Sequence, residues 1–286
     1  MRGVLMTKVA AAACVAAGML SYFGNGEMVA SSTAYGSGER RVLDVYAPRG
    51  ARNAPLVVFF YGGSWQGGRK GTYRFLARAL AARGVVVVVP DYRVYPDVRF
   101  PAFLEDAAAA VAWTKTHAAD FGGDAHKMFL MGHSAGAYIA AMLAYDAQWL
   151  QQVDMAARRD IAGFVGIAGP YDFLPIRDPK LRKIFAVSDL AKTQPINFVS
   201  GGEPPAFIGV PALDSVVDPG NSKRLAAALR AKGVDVTEKV YSGGLVGHMT
   251  IVAAFAPIIG TIAPVRNDVL SFIVRVSAAP PRGYAS

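Results

Sequence analysis

Short, almost continuously apolar runs recur along this chain: Leu56 to Tyr61, Val85 to Val89, Met128 to Met131, Ile161 to Ala168 and Ala206 to Val210. Each is bounded by Gly, Pro or polar residues, the pattern required of a parallel strand buried on both faces. Five consecutive valines at 85–89 are the strongest of these signals. Arg41-Val42-Leu43-Asp44-Val45-Tyr46 alternates instead, as an edge or antiparallel strand does. Residues 28–36 and 40–47 therefore read as two strands around a Gly36-Ser37-Gly38 turn, and Val234 to Tyr241 as the last strand. Between the runs lie helical segments: Thr72 to Arg83, stopped by Gly84, then Pro101 to Ala119, Ala135 to Tyr145, Asn221 to Lys232 and Val265 to Val276. Strands alternating with helices predict an α/β fold, a mostly parallel sheet covered on both faces. Residues 171–203 break the pattern with Pro175, Pro179 and Pro195, and read as a small lid or insertion over one end of the sheet.

The chain's 286 residues are 53% hydrophobic, enough for one large core. No repeat or low-complexity linker marks a second domain, so 28–286 reads as one catalytic domain behind a hydrophobic segment, 1–27. In that segment Arg2 and Lys8 precede an apolar stretch from Val9 to Phe23, short for a membrane span and suited to the core of an export signal. Small residues at Ala30 and Ala34 offer cleavage points. Ala11-Ala12-Ala13-Cys14 resembles a lipoprotein box without its leading Leu. Export is the expectation, with membrane contact through this segment where it is retained.

Thirty Lys plus Arg against 21 Asp plus Glu give a formal +9. The basic residues stand in pairs at most, as in Arg40-Arg41, Arg69-Lys70 and Arg158-Arg159, without interleaved aromatics. That is a solvated basic surface rather than a nucleic-acid site. The single cysteine excludes an internal disulfide framework and a cysteine-based metal site. No metal-ligand spacing, P-loop or dinucleotide fingerprint is present, so no cofactor is expected.

Chemistry enters with Gly132-His133-Ser134-Ala135-Gly136. The run Met128 to Met131 leads into a turn so tight that side chains flanking the serine would clash. Glycine at 132 and 136 removes them, and Ser134 then projects at the C-terminal edge of the sheet. A serine hydroxyl needs a base, and the base an orienting acid. Of four histidines, His117 and His126 read as surface residues, and His133 as packing beside the turn. His248 follows the last strand in a Gly-rich loop and is the candidate base. The acid belongs between Ser134 and His248 in chain order, and the loop after strand 206–210 offers two. Asp214 comes first after the strand and is preferred. Asp218 precedes Pro219 at the approach to a helix, where an aspartate often only caps. Asp106 and Asp172 fall outside this loop and read as structural, as does Asp91-Tyr92-Arg93. Donors for an oxyanion would be the N–H of Ala135 and those of the Gly-rich loop after strand 56–61, which points to Gly63 and Ser64.

With these stretches in hand, and with Leu43-Asp44-Val45-Tyr46-Ala47-Pro48 and Tyr61-Gly62-Gly63-Ser64-Trp65, the chain resembles serine esterases of the α/β-hydrolase superfamily. It is most similar to bacterial carboxylesterases of the hormone-sensitive-lipase and feruloyl-esterase kind. The resemblance implies a carboxylic ester hydrolase acting on a small or short-acyl ester by an acyl-enzyme mechanism. It places the oxyanion donors on Gly63 and Ser64, and a Gly-x-x-Asp-x-x-Val acid pattern on Asp214 and Val217. Two positions depart from the family pattern: Tyr61 stands where a His usually holds the oxyanion loop, and Pro211 where the acid pattern has Gly. Two alternatives stand beside the ester hydrolase. One is an amidase or arylformamidase like the kynurenine formamidases, using the same triad. The other is an inactive binding protein on the same fold.

Overall fold

The structure, a computed structural model, describes residues 26–279. The export-signal reading, with Cys14, falls almost entirely before them and lies outside the described residues. Eight strands form one sheet: β1 (Gly26–Ala34), β2 (Val42–Pro48), β3 (Ala54–Phe60), β4 (Val86–Pro90), β5 (Gly123–His133), β6 (Gly163–Ile167), β7 (Ala206–Pro211) and β8 (Val236–Tyr241). Their order is β1-β2-β4-β3-β5-β6-β7-β8. β2 runs antiparallel to both β1 and β4, and every other pair is parallel. The valines of β4 are buried, as strands flanked by helices on both faces require. β1 at the sheet margin is mostly exposed, Met28 and Val29 included.

Five longer helices cover the sheet: α1 (Arg74–Ala81), α2 (Ala102–His117), α3 (Ala135–Tyr145), α4 (Gly220–Ala231) and α5 (Val265–Ala278). Residues three apart on a strand point to opposite faces. On β5, Phe129 meets Phe272 of α5, whereas a side chain added at Gly132 would meet the start of α3. The strand that leads to Ser134 is thus clamped between a helix on each side. α3 is buried along its whole length, which explains its small-residue, all-apolar sequence.

The strands and helices fall where the hydrophobic pattern puts them, with one notable extension. β5 starts at Gly123 rather than near Met128, because its first residues are only half-buried and carry polar side chains. The lid segment is packed rather than loose. It holds a six-residue helix, Pro179–Ile184, capped by Asp178, and two 3-10 turns, Leu190–Thr193 and Pro195–Phe198. Ile184, Phe185 and Gln194 are buried, and Gln194 Oε1 accepts from the Phe173 N–H at 2.7 Å. Asp106 is structural, as its position suggests: it is fully buried and takes the Arg93 guanidinium and the Arg93 N–H, with Arg41 beside it at 3.3 Å. Among the described residues no helix is long and apolar enough to cross a membrane.

Candidate active site

Ser134 sits at the end of β5 with φ 55° and ψ −126°, a conformation unfavourable for any residue with a Cβ. Its surroundings enforce that conformation. The Ser134 N–H donates to the Ile167 carbonyl of β6 at 2.9 Å, and its own carbonyl at once starts α3, accepting from Ala137 and Tyr138. A side chain on Gly132 would run into the Gly136 carbonyl, and one on Gly136 into the carbonyls of Phe60 and Tyr61. The turn can therefore close only with glycine at both places. This packing over-determines the strained serine.

His248 comes to Ser134 from a loop that leaves β8 through Gly243, which has φ +137°. The loop is held by a Val246 N–H to Gly243 carbonyl bond and by Thr250 Oγ1, which accepts from the Gly247 N–H at 2.8 Å. His248 Nε2 lies 2.8 Å from Ser134 Oγ, and His248 Nδ1 lies 2.7 Å from Asp214 Oδ2. The other carboxylate oxygen of Asp214 accepts from the Val216 and Val217 N–H groups at 2.8 and 2.9 Å. Burial alone would raise the Asp214 carboxyl. The hydrogen bond and charge of His248, and then the two amides, outweigh it and hold the carboxyl below its usual value. Asp214 thus stays ionised opposite the imidazole.

Of the two candidate acids, only Asp214 touches His248. Its side chain is 1% exposed, while that of Asp218 is 68% exposed. Asp218 Oδ1 accepts from the Gly220 N–H at the head of α4, and Arg224 stands 3.7 Å away. Asp172 pairs with the same Arg224. Pro211 does not disturb the loop. It is the last residue of β7, in register with Tyr241, and the next residue continues the pairing through an Ala212 N–H to Tyr241 carbonyl bond of 2.9 Å.

The loop after β3 reaches the serine because Phe60 and Gly132 are paired in the sheet, so residues 61–64 leave beside the elbow. A Cβ added at Gly62 would lie 2.9 Å from that of Ser134. Gly63, Ser64 and Trp65 all have positive φ, at 144°, 51° and 56°. Two non-glycine residues in the left-handed region are held there by a Gln66 N–H to Gly63 carbonyl bond and by Tyr95, whose N–H donates to the Trp65 carbonyl at 2.8 Å. The Trp65 ring is buried edge-on against Tyr138 and Phe185. Ala135 opens α3, so its N–H lies at a helix start beside Ser134.

Tyr61 takes over the anchoring of this loop from the family's histidine. Its hydroxyl donates to Asp91 Oδ1 at 2.7 Å and accepts from Arg40 at 3.1 Å, while its carbonyl accepts from the Tyr92 hydroxyl at 2.6 Å. Burial pushes the Tyr61 hydroxyl far up, so it remains a proton donor. Arg40 also binds the Gly68 carbonyl, closing the far side of the loop. Asp91 and Tyr92 are structural, as read, and what they hold is the loop that carries Gly63 and Ser64. Sequence gave no sign of Arg40's part, since 21 residues separate it from Tyr61.

The remaining histidines divide. His126 is exposed and His117 stacks on Trp113. His133 does more than pack: its Nε2 lies 2.8 Å from the His248 carbonyl oxygen.

The family model described as BD-FAE matches residues 43–229. The chain belongs to the BD-FAE family. Carboxylesterase NlhH of Mycobacterium tuberculosis is 33% identical over 76% of this chain and 74% of its own length. The probable isoprenylcysteine alpha-carbonyl methylesterase ICMEL1 of Oryza sativa is 36% identical over 55% of this chain. The chain spans 38% of that relative's length. Among solved structures, Esterase B from Lactobacillus Rhamnosis superposes with a TM-score of 0.77 at 20% identity, covering 96% of this chain and 95% of that one. That likeness establishes the α/β-hydrolase fold for this BD-FAE chain.

Proposed function

We propose that the chain is a carboxylic ester hydrolase acting on small or short-acyl esters through an acyl-enzyme. One observation carries the reading: the continuous line from Ser134 Oγ to His248 to Asp214, with both links below 3 Å. In the proposed reaction Ser134 Oγ forms a bond to the ester carbonyl carbon as its proton passes to His248 Nε2. Asp214 stabilises the imidazolium so formed, and the N–H groups of Gly63, Ser64 and Ala135 receive the oxyanion. The C–O bond to the alcohol then breaks, and His248 returns the proton to the leaving oxygen. Water repeats the sequence on the acyl-enzyme and frees Ser134. Leu213 and Val216 beside Asp214, and Leu245 ahead of His248, are exposed apolar residues on the catalytic loops, which favours an apolar substrate group at the mouth. Trp65 and Tyr138 fill the space beside the oxyanion loop, which favours a short acyl chain.

Turnover of p-nitrophenyl acetate, butyrate and octanoate beside N-formylkynurenine tests the reading. The short esters should exceed octanoate by about tenfold or more in kcat/KM, and exceed the formamide. Preference for N-formylkynurenine would make the chain an amidase. No turnover, with no labelling of Ser134 by a fluorophosphonate, would make it a binding protein.

Export belongs to the same proposal, motivated by Lys8 followed by the apolar stretch from Val9 to Phe23. Fractionation of bacteria expressing the full chain should recover it outside the cytoplasm. Full-length protein in the cytoplasmic fraction would count against it.

A further inference from the structure

We infer that His133 is a positioning residue, whose Nε2–H bond to the His248 carbonyl locks the general base onto the strand that carries the nucleophile. The inference rests on the reading of His248 as that base. A carbonyl only accepts, so at 2.8 Å His133 Nε2 must hold the proton, and in the neutral ring Nδ1 is bare. Nδ1 is buried, has no hydrogen-bond partner, and faces Gly62, where an added Cβ would stand 3.1 Å away. The ring is fully buried and 4.8 Å from that of His248. Burial, and then the charge of His248, pushes the His133 imidazole down to about 3, so it stays neutral. Neutrality matters, because a second cation at this distance would oppose the imidazolium formed when Ser134 attacks.

The bond acts at His248 itself, which the Val246–Gly243 and Gly247–Thr250 bonds of its loop flank but do not fix. Gly243, Gly244 and Gly247 precede the base and leave its backbone many conformations. The carbonyls of Gly247 and Met249 accept from Ile251 and Ala253, four residues on. That of His248, between them, accepts from His133. The rotation of the His248 peptide is thereby set by the residue next to the nucleophile. Both ring nitrogens of His248 are engaged by Asp214 and Ser134, so a rotated peptide would misdirect both. Ser134 and His248 are 114 residues apart in sequence, and their segments are joined here by a side-chain to main-chain bond that does not involve the reacting atoms.

Three variants test this. Glutamine carries its amide nitrogen about as far from the backbone as imidazole Nε2, whereas asparagine reaches only as far as Nδ1. His133→Gln should keep kcat within about threefold of the wild type. His133→Asn and His133→Leu should lose about 10- to 100-fold in kcat with KM unchanged. Equal kcat for Gln and Asn, or a loss confined to KM, overturns the inference. Near-UV circular dichroism checks that each variant is folded. Should Asn and Leu not fold, the wild type still decides, by nitrogen-15 NMR of histidine. His133 should remain the Nε2–H tautomer from pH 5 to 9 and show a through-bond coupling from Nε2 to the His248 carbonyl carbon. An Nδ1–H tautomer, a missing coupling or titration in that range also overturns it. A wild type inactive on every ester and on N-formylkynurenine, with Ser134 unlabelled by a fluorophosphonate, sinks the general-base reading instead, and leaves the coupling as a purely structural contact.

Discussion

Ser134→Ala is expected to fold like the wild type and to lose roughly 10⁴- to 10⁶-fold in kcat on p-nitrophenyl acetate. The substitution removes one oxygen and keeps the Cβ, so the forced turn at φ 55° is no worse for alanine than for serine. The bonds that shape the elbow are main-chain bonds, from Ser134 to Ile167 and from Ala137 and Tyr138 to Ser134, and all of them survive. The variant loses the hydroxyl that His248 Nε2 contacts, so no acyl-enzyme can form. What remains is stabilisation of the oxyanion and substrate binding, which give water a modest advantage over free solution. The melting temperature should stay within a few degrees of the wild type, and fluorophosphonate labelling should vanish. Turnover near the wild-type rate with intact labelling at another serine would remove Ser134 from the chemistry.

How much of this site the sequence discloses depends on distance along the chain. The elbow is local: a strand, two glycines and a helix within a dozen residues specify the backbone, so Ser134 and its turn can be read directly. The same holds for the strands, whose apolar runs reflect burial on both faces. The acid and base are non-local, yet the alternation of strands and helices brings the C-terminal ends of the parallel strands β3 to β8 to one edge. Loops after β7 and β8 must therefore meet the loop after β5. That topological rule is enough to choose His248 from four histidines.

Contacts within that edge are a different matter. Nothing in the spacing of Arg40, Tyr61 and Asp91 announces that they share a hydroxyl, because the pairing depends on side-chain reach across three separate segments. In the sequence Tyr61 reads as a departure from the pattern of the family the chain resembles. In the structure it is a substitution of one anchor by another: a phenol that donates to Asp91 and accepts from Arg40, with its ring stacked on Tyr92 at 4.8 Å. His133 was invisible for the same reason, since its partner is a backbone carbonyl 115 residues away.

Asp214→Asn should be folded and nearly inactive, and Asp218→Asn should be close to the wild type. In the native site Asp214 Oδ1 takes two backbone N–H groups and Oδ2 takes the His248 Nδ1–H. Asparagine has one oxygen and one amide nitrogen. The two N–H donors of Val216 and Val217 claim the oxygen, so the amide nitrogen faces His248 Nδ1. Two donors cannot share that position, and the imidazole must shift its proton to Nε2. Nε2 then faces Ser134 Oγ with a proton already in place and cannot accept another. A wrong tautomer of this kind costs about 10⁴-fold in kcat, with modest change in KM. Asp218 stands in a different situation. Its Oδ1 caps the Gly220 N–H, a bond that the asparagine carbonyl makes equally well. Its ion pair with Arg224 is long and exposed, and is worth little. Asp218→Asn should therefore cost about 1 kcal/mol of stability or less and keep kcat within about twofold. Acid gives a second readout for Asp214. The Asp214 carboxyl lies below its unfolded value, so its contribution to stability is full above the unfolded pKa and is lost as pH falls through the lower, folded one. Asp214→Asn should flatten the fall in melting temperature at the acid end. Measuring kcat and melting temperature against pH for both variants separates the roles. An inactive Asp218→Asn beside an active Asp214→Asn would transfer the acid's place to Asp218.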